Sequence, residues 1–220
     1  TFKEKGATSG LAFDTYGEKA FSPHLTLYLA DHGTKNEAWK RQYPRRFENF
    51  FWTQFLEAKA DSDFERLYFD SFVKVAKSNV AQKRLKAALE GSFSKEFDLD
   101  QDRRWAIVLK LNTLGTDDAK SLVTTELKRD PSHAARIMAL TVRVSRPDKS
   151  IKDRWLSKIS AENPNMTSAE MKAVIEGLYP VDQTDLRREG AEEIYENLVK
   201  LSGERDEKFL ESYAQTLVPT

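Results

Sequence analysis

The sequence has no cysteine among its 220 residues. That excludes a disulfide-stapled scaffold, a thiolate zinc finger and a cysteine nucleophile, and is compatible with a reducing compartment. It also lacks an excess of charge of either sign: 35 basic residues balance 35 acidic ones. This removes the bulk electrostatic case for nucleic acid or an anionic membrane as a partner. No stretch approaches the ~20 consecutive apolar residues that span a bilayer. Histidine is scarce, with only His24, His32 and His133. The sequence starts Thr1-Phe2-Lys3, without an initiator methionine or a signal-peptide pattern, so Thr1 reads as a boundary left by cleavage or cloning. A chain of this length can bury roughly 70% of its unfolded surface, enough for one domain or one repeat array.

What is present is helical punctuation. The nine glycines and seven prolines sit mostly where helices should start and stop. Ser22-Pro23 offers a cap followed by Pro at the first helical position, and Gly33 closes that segment. Residues 36–60 are periodic and aromatic, with Pro44 expected to divide or kink them. Ser62-x-x-Glu65 reads as a capping box, and Phe64, Leu67, Tyr68, Phe72 and Val75 as the apolar stripe of the next helix. Ser78 opens a segment that Gly91 ends, and residues 92–98 read as a loop. Asp100 caps a helix over 101–114, closed by Gly115. Thr116 opens a segment to Lys128, and Asp130-Pro131 one to Ser145. Pro147 breaks the chain before a helix over 149–160. Thr167-x-x-Glu170 is a second capping box, ahead of a helix that Pro180 ends. Segments 185–201 and 206–217 complete the chain.

These segments predict an all-α fold of about ten or eleven helices of ordinary length. With short loops, successive helices pack antiparallel. The expected architecture is an irregular HEAT-like superhelix of antiparallel hairpins with a concave face. It forms a single helical domain over 1–220, with 1–21 a weakly ordered or irregular lead-in. The helix over 101–114 is apolar nearly all round and is expected inside the array.

Residues able to carry chemistry are few. A metallopeptidase zinc site needs two histidines one helical turn apart and a nearby carboxylate. His24 and His32 are eight residues apart with no glutamate following either, and two turns of helix is about 11 Å, too far for one ion. Asp98-x-Asp100-x-Asp102 starts like a calcium loop but has Arg103 where glycine is required and Leu109 where glutamate is required. Helix-start acidity explains it instead. The adjacent pairs Asp117-Asp118 and Glu192-Glu193 do not face each other on a helix. Gly-x-Ser-x-Gly and phosphate-cradling glycine patterns are absent. Residues 39–47 interleave basic and aromatic residues, which reads as an amphipathic helix pair with snorkelling cations rather than a base-stacking surface.

Several motifs, in order and spacing, carry a resemblance. They are an aromatic-rich segment over 63–78, Leu85-x-x-Ala88-Leu89-x-Gly91, and Leu99-Asp100-x-Asp102-x-Arg104-Trp105. Glu126-x-x-Arg129-Asp130-Pro131, Arg146-Pro147, Lys152 and Trp155 follow. Together they resemble the C-terminal helical domain of the aminopeptidase N family of zinc metallopeptidases, which includes the antigen-trimming aminopeptidases of the endoplasmic reticulum, and most of all the bacterial members. The resemblance runs from about Asp63 to Leu217, and the family domain normally extends further at both ends.

The resemblance implies a non-catalytic domain that caps the active site of an enzyme cleaving N-terminal residues from peptides, and limits substrate access. It implies no cofactor in this fragment and zinc in the parent enzyme. The implied partners are the catalytic domain of the same polypeptide and, in the intact enzyme, peptide substrates, with no nucleic acid and no membrane. A cytoplasmic location is expected. Catalytic and metal-binding residues are expected to lie elsewhere, since His-Glu-x-x-His and Gly-x-Met-x-Asn are both absent. Arg104 is the substrate-facing candidate, able to grip a peptide C-terminal carboxylate in bidentate fashion. The structural alternative makes it a partly buried ion-pair partner of Asp130 or Asp102, with Trp105 in the core. Arg129, Asp130 and Trp155 are read as structural. The alternative to the whole reading is a free-standing helical-repeat scaffold for protein partners.

Overall fold

The computed structural model describes residues 37–92 and 95–218, with the side chains of the first helix described from Pro44 onward. Among the described residues there are eleven α-helices, one short 3-10 helix and no strand. The fold is all-α. No helix among them is long and apolar enough to cross a membrane. The helices are α1 (Glu37–Glu57), α2 (Asp63–Val75), α3 (Asn79–Glu90), α4 (Gln101–Thr113), α5 (Ala119–Arg129), α6 (His133–Val144), α7 (Lys149–Ile159) and α8 (Ser168–Leu178). After the 3-10 turn Val181–Gln183 come α9 (Thr184–Glu189), α10 (Ala191–Leu201) and α11 (Glu207–Leu217). The helix expected between Ser22 and Gly33, and the lead-in 1–21, lie outside the described residues.

The described residues group into two compact units: 37–84 with 95–97, and 85–92 with 98–218. Helix α3 contributes residues to both.

The first unit is built on aromatic packing between α1 and α2. Trp52 of α1 meets Phe72 of α2 and Phe55 meets Phe69, and these four and Phe51 are all buried. Phe97 joins them, its ring 5.1 Å from Phe55 and 4.8 Å from Phe69. The α-helix α1 runs through Pro44 rather than being divided by it; proline removes one ladder bond, and the buried aromatics further along hold the helix. The buried residues of α2 are Glu65, Phe69, Phe72, Val73 and Val75, so of the expected stripe Phe72 and Val75 are buried, Leu67 and Tyr68 are half-buried and Phe64 is exposed.

The Ser62 capping box is also only half made. Ser62 accepts from the Glu65 N–H, but the Glu65 carboxylate reaches the Asp61 N–H and pairs with Lys95 at 2.7 Å. A buried carboxylate takes the strongest donor on offer, and here that is an ammonium that also donates to the carbonyls of Phe55 and Ala58. Glu48, buried on α1, accepts from the N–H groups of Lys77 and Ser78 and from the Ser78 hydroxyl. A side chain from another helix thus satisfies donors at the start of α3.

In the second unit α4 packs on α5 and α6, α6 on α8, and α8 on α11. Contact between a helix and its next-but-one neighbour is the packing of stacked hairpins. Helix α4 is the inner helix expected of it, with Trp105, Ile107, Val108 and Leu111 buried. It starts on the Asp100 side chain and stops at Gly115, whose φ of +73° suits glycine. Helix α5 begins at Ala119, three residues after Thr116, and α6 is capped by Ser132 rather than by Asp130. The Thr167–Glu170 capping box forms in full.

The segment expected as one helix over 185–201 is split at Gly190 into α9 and α10. Glycine ends a helix readily, and the Tyr179 hydroxyl lies 2.5 Å from where a Cβ on residue 190 would stand. Around the end of α4, buried Gln183 donates to the carbonyls of Thr113 (2.9 Å) and Ser145 (2.6 Å), and Asn112 to that of Val142. Amide side chains thereby satisfy the exposed carbonyls of two helix ends.

Candidate functional site

The residues that carry the sequence resemblance lie mostly in the second unit. Arg104 stands in the first turn of α4, with Asp100 as cap. Its Nε donates to Glu126 Oε2 at 2.9 Å and its Nη2 to Oε1 at 2.5 Å. Nη1 donates to the Leu89 carbonyl near the end of α3 at 3.1 Å, and Gln101 adds a bond to the same carboxylate at 3.1 Å. The partner is Glu126 of α5, rather than Asp130 or Asp102. Both side chains are buried, Arg104 at 8% exposure and Glu126 at 2%. This two-pronged geometry joins α3, α4 and α5 through one guanidinium.

Burial alone would raise the Glu126 carboxyl. The hydrogen bonds from Arg104 and Gln101, with the charges of Arg104 and Arg129, overcome that and hold it below the ordinary carboxylate range. Arg129 is exposed in the last turn of α5, where a cation also suits the helix dipole. Asp130 follows as the C-cap of α5 and accepts from the Ser132 N–H at 3.1 Å. The Ser132 bonds keep its carboxyl below the usual range. Trp105 is buried at 3% exposure. Trp155 is partly buried against the core formed by α6, α7, α8, α10 and α11, with the Lys158 ammonium 4.8 Å from its ring centre.

The remaining motif residues also close helix ends. Arg146 donates to the Thr116 carbonyl at 3.1 Å, and Pro147 packs on Gly115, where a Cβ would be 3.0 Å from its ring. Lys152 is buried and donates to the Val144 carbonyl at 2.8 Å.

The other sequence candidates do not converge. His133 begins α6 exposed to solvent, while His24 and His32 lie outside the described residues. Among the described residues no group of three metal-ligating side chains comes together. Asp118 pairs with Lys86 at 2.7 Å, and Asp100 caps α4, so these carboxylates have structural partners. Of the basic and aromatic run over 39–47, the side chains before Pro44 lie outside the described residues.

Sequence reasoning missed Glu126 as the partner of Arg104. The signal was there: Ala119, Val123 and Glu126 follow one another at helical spacing on the buried face of α5.

No family model matches the chain. The chain is similar to Aminopeptidase N of Streptomyces lividans, with 29% identity over 164 residues. The match covers 74% of this chain and 19% of that protein, so the chain spans about a fifth of the length of the curated relative it matches.

Proposed function

We propose that the chain is a non-catalytic, C-terminal helical domain of a zinc aminopeptidase that removes N-terminal residues from peptides. It caps the active site and limits which peptides enter. The observation that carries this reading is the match to an aminopeptidase N over 74% of this chain but 19% of that protein. Such a segment is one part of a larger hydrolase, and zinc would belong to the part that holds the ligands. The sequence motifs support it. Arg104, Arg146 and Lys152 are engaged with backbone carbonyls or a buried carboxylate, as expected of residues that build a domain rather than perform chemistry. On this reading Arg104 is a clamp on three helices. Its partners are the catalytic domain of the same polypeptide and the peptides that the intact enzyme admits. We place the enzyme in the cytoplasm.

The test is to read the gene in frame upstream of Thr1. The proposal expects His-Glu-x-x-His followed by a further glutamate ligand. A reading frame with a start codon near Thr1 and no peptidase motif would leave a free-standing helical scaffold instead.

A further inference from the structure

Lys152 lies on the buried face of α7 with Leu156 and Ile159, one and two turns further on. It is 1% exposed and among the largest fully buried side chains. Its Nζ donates to one acceptor, the carbonyl of Val144 at the end of α6. The Tyr179 ring stands 5.8 Å away, at the end of α8. Among the described residues no carboxylate comes within ion-pair distance of it. One carbonyl and one ring face do not replace the hydration of an ammonium ion, so burial favours the neutral amine over the charged form.

The surrounding charges do not reverse that. Asp148, the cap of α7, is the carboxylate that acts on Lys152, and Arg146 faces Asp148 in turn. Asp153 on α7 and Glu193 on α10 act on Tyr179, and they and Glu189 at the end of α9 act on Lys149. Tyr179 and Tyr213, the latter on α11, are neutral phenols whose ionisation burial disfavours. The net result is a lysine pushed down to about 7, with burial the leading cause.

We propose that α7 is a proton-linked latch: it closes over Lys152 as a free amine, and its opening takes up one proton from water. In the open form the amine has the ordinary lysine affinity for protons, near 10.4. Between that value and the closed-state value, each pH unit downward favours opening about tenfold. Below about 7 both forms are protonated and the dependence levels off. The helix therefore loosens as pH falls toward neutrality, with the titration carried by a lysine.

Amide hydrogen exchange on the full 220-residue chain at about pH 7.5 and about pH 9, corrected for intrinsic chemistry, tests this. Opening of α7 should be about twentyfold more favourable at the lower pH. Lys152→Met should remove the difference, and Lys152→Arg, which stays charged, should leave α7 open at both values. Two results would overturn the latch: equal wild-type protection at the two pH values, or the same difference persisting in Lys152→Met. Should the variants not fold, NMR titration of the Lys152 ε-methylene in the wild type decides. Titration in the ordinary lysine range would overturn the proposal.

Discussion

The guanidinium of Arg104 and the carboxylate of Glu126 meet edge to edge through two hydrogen bonds, 2.9 and 2.5 Å long, in a setting shielded from water. A pair of this kind costs much to break and little to replace. Removing one partner leaves an uncompensated buried charge, whereas removing both leaves only a packing problem.

Arg104→Ala and Glu126→Ala should therefore each destabilise the chain by about 3–5 kcal/mol in urea unfolding. The double substitution to methionine should recover most of that loss. If the single variants unfold at the wild-type midpoint while peptide-length preference of the intact enzyme changes, Arg104 faces substrate and the clamp reading fails.

Helices α6 and α8 approach closely because residue 177 has no side chain. A Cβ there would stand 2.6 Å from the Thr141 carbonyl oxygen, and the Thr141 hydroxyl already donates to the Ala173 carbonyl. Gly177→Ala should cost roughly 1–3 kcal/mol, the range for overpacking. Gly203→Ala is the control, since nothing lies within 4 Å of its Cβ position and its φ is not positive. It should be stabilising by about 0.4–1 kcal/mol. Thermal melts of the two variants check the contrast.

Glu48→Ala strips three donors at the start of α3 of their acceptor. The expected loss is roughly 1–3 kcal/mol. Glu48→Gln, which keeps one acceptor oxygen, should fall between that variant and the wild type when compared by denaturant midpoint.

Global stability should rise with pH from about 7 toward 10. Lys152 is held at about 7 in the folded chain, so between that value and the ordinary lysine value the unfolded chain binds more protons. The slope is at most about 1.4 kcal/mol per pH unit. Tyr179 and Tyr213 act in the opposite sense further up. Each is raised to about 12, so from about 10 to 12 the folded chain holds the extra protons and stability falls. Urea midpoints measured across this range should peak near pH 10, and Lys152→Met should flatten the lower limb. A flat wild-type profile between 7 and 10 would contradict the buried neutral amine.

Helix ends were the most legible feature of the sequence. Asp100, Ser78, Thr167 and Asp206 start helices, and Gly91 and Gly115 stop them with positive φ. Their side chains or missing side chains act locally, so the signal sits in a few adjacent residues. What was misread depends on contacts across the fold. Gly190 splits a helix where Tyr179 fills the space.

The partners of the buried charges were the least legible: Arg104 reads as a partly buried ion-pair residue, but with Asp130 or Asp102 in place of Glu126. Glu65, Arg104, Glu126 and Lys152 all occupy core-facing helical positions beside apolar residues. A hydropathy pattern marks such residues as polar and assigns them to the surface. Their spacing relative to Phe69, Val108, Val123 and Leu156 is what gives them away, and their partners come from other helices that no local pattern names.

As proposed, this chain is a non-catalytic part of an aminopeptidase. This is tested most directly by assaying an aminoacyl anilide with the purified 220-residue chain and with the product of the whole reading frame, each with added zinc and with a chelator. The whole product should hydrolyse the substrate, the chelator should abolish this, and the chain alone should be inert with or without zinc. Hydrolysis by the pure chain that survives replacement of His24, His32 and His133 would contradict the proposal.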